Sequence, residues 1–319
     1  MVLDKSDTVT DILISEVGPR DGLQNVDSLM PLEARCRWVS AEAAAGVREI
    51  EVGSFVSPKR VPQMAGTEDV VAHALSIPGL CVAVLVPNLK GAQRAIDAGA
   101  HKISIPVSVS ETHSLKNVNR SHDQMVEEVK AIRALVDAQP SDRRPHFEAG
   151  LSTAFGCTLA GPVTEDSVVR LAERLIGAGA AEVGLSDTTG MANPAHVKNL
   201  VRKVRAAIGP ERLTGVHLHN TRGLGLANAL AALEEGITTL DSSLAGLGGC
   251  PFAPGASGNI VTEDLVFMLD AMGYRTGIDL DALLKVRDIV VQALPGEDLF
   301  GFTPLAGLPP GYPNGYRAA

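Results

Sequence analysis

The chain has 319 residues, 45% hydrophobic and 20% charged, enough to bury a sizeable core. Its net charge of −9 leaves no basic footprint for nucleic acid, and no run of 18 or more apolar residues offers a membrane span. The N-terminal MVLDKSDTVTD lacks the basic and apolar regions of a signal peptide, and four dispersed cysteines without a CxxC pair argue against a zinc knuckle or a disulfide framework, which together point to the reducing cytoplasm.

Short apolar runs recur along the chain: ILISEV (12–17), REIEVGS (48–54), CVAVLV (81–86), KISIPV (102–107), HFEAGLS (146–152), EVGLSD (182–187), LTGVHLH (213–219) and TTLDSSL (238–244). Most look nearly continuous in apolar character, as expected of strands buried on both faces. Between them lie amphipathic stretches such as SVVRLAERLIGAG (167–179) and VKNLVRKVRAAI (197–208), several ending in glycine before the next strand. Strand and helix alternating eight times predict an α/β fold, a (β/α)8 TIM barrel over residues 1–278. The alternative is an open doubly wound sheet, against which stands the absence of a GxGxxG turn after the first strand. Residues 279–319 add a helix, DALLKVRDIVVQAL (281–294), and a Pro/Gly-rich tail expected to lie loosely on the surface.

In such barrels chemistry sits at the C-terminal ends of the strands. Arg20 and Asp21 follow strand 1 in VGPRDGLQN, Glu51 lies within strand 2, and Asp187 opens SDTTG after strand 6. Strand 7 ends in His217-Leu218-His219, whose two histidines are spaced to share a strand face. When the barrel closes, strands 1, 7 and 8 adjoin, so Asp21, His217, His219 and Asn259 can converge. Two nitrogens and two oxygens favour Mg²⁺ or Mn²⁺ over a closed tetrahedral zinc site. The segment GLGGCPFAPGASGN (246–259) holds five glycines around Cys250, a composition suited to a loop that moves over a ligand. Cys36 and Cys81, on a helix and a strand, are expected in the core, and Cys157 stays open.

Taken together, EVGPRDGLQN, SFVSPKRVPQM, PNLKG, SDTTG, HLHNTRG and DSSLAGLGGCPFAPGASGN resemble the 3-hydroxy-3-methylglutaryl-CoA lyase family of the DRE-TIM metallolyases. The resemblance runs over about residues 11–296 with the motifs in order. It implies a metal-dependent carbon–carbon lyase that cleaves a 3-hydroxy-3-carboxymethyl acyl-CoA to acetyl-CoA and a keto acid. Asp21, His217, His219 and Asn259 match the family's metal ligands. Arg20 matches its catalytic arginine, Glu51 its second-strand glutamate, and Asp187 and Cys250 residues implicated in catalysis. The expected partners are an acyl-CoA thioester and further copies of the chain as a homo-oligomer, with no nucleic acid and no membrane.

Three places depart from that family's pattern. Asn220 stands where Asp usually follows the second histidine, CTLAG (157–161) replaces a Cys-Pro-Tyr-Glu-Gly-like stretch, and Gly150 replaces a tyrosine. These bear on the acyl group accepted. The other readings are a related lyase for another hydroxyacyl-CoA such as citramalyl-CoA, a condensing synthase of the isopropylmalate type, and a non-catalytic binding protein on the same barrel.

Overall fold

The computed structural model describes residues 10–248 and 258–312. Eight parallel strands close into a barrel in sequence order, with β1 paired to both β2 and β8. They are β1 (Leu13–Glu16), β2 (Glu49–Ser54), β3 (Cys81–Leu85), β4 (Lys102–Ser108), β5 (His146–Ser152), β6 (Glu182–Ser186), β7 (Gly215–His217) and β8 (Thr239–Ser242). Seven fall inside the runs predicted for them, and β4 runs one residue past its own, to Ser108. The open-sheet alternative is excluded by the β1–β8 ladder from Leu13–Thr239 to Glu16–Ser242.

Helices wrap the outside in chain order: α1 (Leu32–Ala44), α2 (Thr67–Leu75), α3 (Leu89–Asp97), α4 (Glu111–Val118), α5 (His122–Asp137), α6 (Glu165–Gly177), α7 (Pro194–Ile208), α8 (Gly225–Glu234) and α9 (Thr262–Ala271). Their starts are written in side chains. Asn88, Ser110, Thr164 and Asn193 each accept a backbone N–H of the first turn, and Ser121 forms a reciprocal capping box with Gln124. The Asn193 cap and Pro194 start α7 three residues before the apolar periodicity begins. Its buried Val197, Leu200, Val201 and Val204 face the barrel, each stabilising by about 1.5–3 kcal/mol. Among the described residues, no helix is long and apolar enough to cross a membrane.

The expectation of strands apolar on both faces needs correction. Outward side chains such as Ile50, Val52, Ile103, Ile105, Val107, Phe147 and Leu151 are buried against the helices. Many inward positions are polar. Lys102 Nζ lies 2.8 Å from Glu148, 3.2 Å from Glu49 and 3.8 Å from Glu182, a buried ion cluster within the barrel. His146 and Thr214 also bond Glu182, at 2.8 and 2.7 Å. Burial alone would lower the Lys102 pKa, but the surrounding carboxylates raise it, so the ammonium is retained.

Beyond the barrel, α10 (Leu280–Ala293) buries Leu283, Val286 and Val290, and its N-terminal cap Asp279 donates its backbone N–H to Ala45 at the end of α1. A short helix, α11 (Thr303–Ala306), follows. The tail is tied down further than expected: the Tyr312 hydroxyl bonds Asp270 and its ring stacks on Phe267. Residues 313–319 lie outside the described residues.

Candidate active site

The stretch after β1 forms a single π-helical turn, Gly18–Gly22. Pro19 occupies its first positions, and the Val17 carbonyl accepts the N–H groups of Arg20, Asp21 and Gly22 at 3.1, 2.7 and 3.3 Å. Gly18 is needed for space, since a Cβ there would meet Glu16 Oε1 at 2.5 Å and the Trp38 ring at 2.8 Å. Glu16 fixes the turn to the far side of the barrel seam. Its Oε1 accepts from Gly18 N at 2.8 Å and Leu244 N at 2.9 Å, and Oε2 accepts from Thr262 at 2.6 Å.

This turn places Arg20 and Asp21 together at the barrel mouth. Arg20 donates Nε to Glu51 and Nη1 to Asp21 Oδ1, the latter at 2.6 Å. Ser104 on β4 holds the other Glu51 oxygen at 3.1 Å. Burial raises the Glu51 pKa while Arg20 pulls it down, and burial wins. Burial also pushes Asp21 up, but Arg20 and the two imidazoles outweigh it and keep that carboxylate ionised.

His217 ends β7 and His219 lies just beyond, joined to Asn259 by an isolated antiparallel bridge. Their Nε2 atoms face one another at 3.0 Å, and His217 Nε2 lies 3.8 Å from Asp21 Oδ2. One ligand atom from each of Asp21, His217 and His219 lies within 4.8 Å of the others. Asn259 donates Nδ2 to Asp21 Oδ2 at 2.9 Å, so all four predicted ligands meet. Burial and the adjacent His217 hold His219 down to about 4, hence neutral. An ionised carboxylate beside a neutral imidazole is the protonation state that binds cations, and the buried His219 Nδ1 has no partner. The residues fit a divalent metal.

Some groups at the site escaped sequence reasoning. Asp241 on β8 stands 3.1 Å from His217 Nδ1. Burial lowers the His217 pKa, but the Asp241 bond and the Asp21 charge reverse this and raise it. Gln24 adds a bond to Asp21 at 3.3 Å. The readable signal for Asp241 was its inward place in the alternation of TTLDSSL, next to Leu240, which packs outward.

Asp187 is buried but does not line the cavity. Its two oxygens accept the N–H groups of Met191 and Ala192 at 2.8 and 3.1 Å, closing the SDTTG turn, and burial lifts its pKa to about 6. Cys250 lies outside the described residues. Cys36 and Cys81 are half-buried rather than core, while Cys157 is fully buried. The Cys81 thiol is pushed up to about 12 by burial and by Glu49.

A cavity of about 830 Å³ runs from the mouth, past Arg20, Asp21, Glu51, His217 and His219, into the barrel. Of the three departures, only Gly150 lines it among the described residues. Asn220 Oδ1 accepts from Gly225 N at 3.0 Å, and Cys157 and Gly161 pair with each other.

Residues 11–290 match the HMGL-like family model. The mitochondrial hydroxymethylglutaryl-CoA lyase of Mus musculus is 41% identical over 283 residues, covering 89% of this chain and 86% of that protein. A hydroxymethylglutaryl-CoA lyase of Bacillus subtilis is 39% identical, covering 90% and 96%. The solved HMG-CoA lyase of Acinetobacter baumannii, in complex with coenzyme A and 3-methylmalate, superposes with a TM-score of 0.86 at 40% identity, covering 94% of this chain and 97% of that one. With its arginine, paired carboxylates and histidines gathered at one barrel mouth, the chain belongs to the HMGL-like family.

Proposed function

We propose that the chain is a divalent-metal-dependent carbon–carbon lyase. It cleaves a 3-hydroxy-3-methylglutaryl-CoA-like thioester to acetyl-CoA and a keto acid, acetoacetate when the substrate is HMG-CoA. The observation that carries this reading is the meeting of the Arg20–Glu51 pair with Asp21, His217 and His219 at one mouth. The relatives named above support it.

Asp21, His217, His219 and Asn259 would hold the cation, Mg²⁺ or Mn²⁺, which when bound acidifies the substrate's hydroxyl. Asp241 fixes the His217 ring so that Nε2 faces the site. The reaction removes the hydroxyl proton, breaks the C2–C3 bond as C3 becomes a ketone, leaves the bond's electron pair on C2 as the enolate of the thioester, and finally protonates C2. Glu51, raised by burial and held beside Arg20, is placed to accept a proton. The Arg20 guanidinium stabilises the developing enolate oxygen. Asp187 positions the loop after β6 through its two backbone bonds. Cys250 remains the candidate to return the proton to carbon. The reading also includes a homo-oligomer in the cytoplasm.

The test is incubation of the purified protein with Mg²⁺ or Mn²⁺ and HMG-CoA, with products identified by mass spectrometry. Acetyl-CoA and acetoacetate in equal amounts, lost with a chelator and restored by metal, are the expected result. No cleavage of any hydroxyacyl-CoA in the presence of either metal would refute the reading.

A further inference from the structure

The interior of a (β/α)8 barrel is ordinarily filled by layers of bulky branched side chains. Here small residues stand at inward positions, among them Ala83, Ser104, Gly150, Gly184 and Gly215, and the cavity of about 830 Å³ continues past the mouth to Glu49, Lys102, Glu148 and Glu182. A Cβ on Gly184 would meet Glu148 Oε1 at 2.5 Å, so that glycine makes room for the carboxylate to stand in the bore. A bore this polar and this wide suits water. Its polar groups form a file from one face of the barrel to the other. Glu51 gives Oε2 to Arg20, and its Oε1 accepts from Ser104 Oγ at 3.1 Å. Ser104 pairs with Glu148 across the β4–β5 ladder, and Glu148 with Glu182 across the β5–β6 ladder. Each of those steps spans ~4.8 Å between strands, a gap that one water bridges. Lys102 Nζ lies 2.8 Å from Glu148 and 3.8 Å from Glu182 and holds both in the bore. His146 Nε2 lies 2.8 Å from Glu182 Oε1. His146 opens β5 at the N-terminal face of the barrel, and 46% of its side chain is exposed.

We infer that the bore is a proton path between Glu51 and solvent at the N-terminal face, running through Ser104, Glu148 and Glu182 to His146. The inference rests on the lyase reading and extends it: the path returns Glu51 to its carboxylate without routing the proton past the bound thioester. The substrate's hydroxyl proton passes to Glu51, Glu51 releases it to the bore, and one proton leaves at His146. C2 takes one proton from the mouth side, so each turnover releases one proton and consumes one. Nothing is oxidised or reduced. Burial lifts the Glu51 and Glu148 carboxyls above their ordinary range, and the bond to Glu182 lifts His146, so all three hold a proton more readily than they would in water. Lys102, surrounded by carboxylates, keeps its ammonium and anchors the file without carrying the proton.

The experiment measures HMG-CoA cleavage with Mg²⁺ in H₂O and in D₂O for the wild type, His146→Ala and His146→Gln, each with and without added imidazole. His146→Gln keeps a donor for Glu182 but cannot pass a proton on, which separates relay from scaffold. Both variants should lose about tenfold or more in kcat with KM within about twofold, and their solvent isotope effect should exceed that of the wild type. Imidazole should restore His146→Ala in a saturable way and leave the wild type unchanged. Circular dichroism and Mg²⁺ affinity, expected to be unchanged, check that the variants fold with the mouth intact. Wild-type kcat in either variant, or a loss in His146→Ala that imidazole does not restore, would overturn the proton path alone. A wild type that cleaves no hydroxyacyl-CoA would overturn the lyase reading together with it.

Discussion

Replacing Lys102 by Met tests whether the polar barrel interior is held by charge. Lys102 faces three carboxylates, at 2.8, 3.2 and 3.8 Å, and only 15% of its side chain is exposed. At an effective dielectric of about 20, the two shorter pairs are each worth about 5–6 kcal/mol in isolation. Repulsion among the carboxylates and the cost of burying them cancel much of this. Removing one partner from a buried cluster then costs about 3–5 kcal/mol, because uncompensated charge is left behind. For a chain of this length that shifts the unfolding midpoint by about 4–8 °C. Urea unfolding followed by fluorescence of Trp38, the sole tryptophan and fully buried, measures it. The deficit should depend on pH. Burial already raises Glu148 above its ordinary value, and losing Lys102 raises it further. A carboxyl raised in the folded state favours folding below its unfolded pKa and loses that advantage as pH rises through the folded value. The gap between variant and wild type should therefore be smaller at pH 5 than at pH 8. Adding Glu148→Gln should recover part of the loss. A deficit under about 0.5 kcal/mol at both pH values would refute the charge argument.

Arg20→Lys keeps the charge but loses the planar fork that reaches Glu51 and Asp21 together. Steady-state kinetics should show kcat down by about 100-fold or more, with Mg²⁺ affinity by calorimetry nearly unchanged; intact turnover would make Arg20 structural. Asp241→Asn removes the charge behind His217. Metal affinity should fall about 10–100-fold without change in circular dichroism, and unchanged affinity would mean that something else orients the ring.

The order of the strands was legible because each run is short, apolar and bounded by turn residues. The polarity of the barrel interior was also present, as the alternation in KISIPVS and HFEAGLS, yet it was hidden by Gly, Ser and Pro at inward positions, which read as neither apolar nor charged. Lys102 could not be matched to Glu49, Glu148 and Glu182 by eye, since those partners lie on three different strands. The meeting of Asp21, His217 and His219 followed from pleat spacing plus closure. Asp187 shows the limit of motif reading. A carboxylate at a strand end can serve its own loop, and only the positions of the Met191 and Ala192 N–H groups reveal that it does.

The seam between β1 and β8 has a consequence for how the protein comes apart. Asp21 comes from just after the first strand, His217 and Asn259 from around the last two, and Glu16 ties Gly18 to Leu244 across the same junction. The groups proposed to do the chemistry are therefore also the clasp of the ring. A partial opening at this junction dismantles the site while the other seven strand pairings persist, so catalytic competence reports on ring closure and not on the amount of folded chain. Any ligand that bridges the two edges draws the ring shut by mass action, and a fragment lacking either edge inherits most of the architecture and none of the clasp.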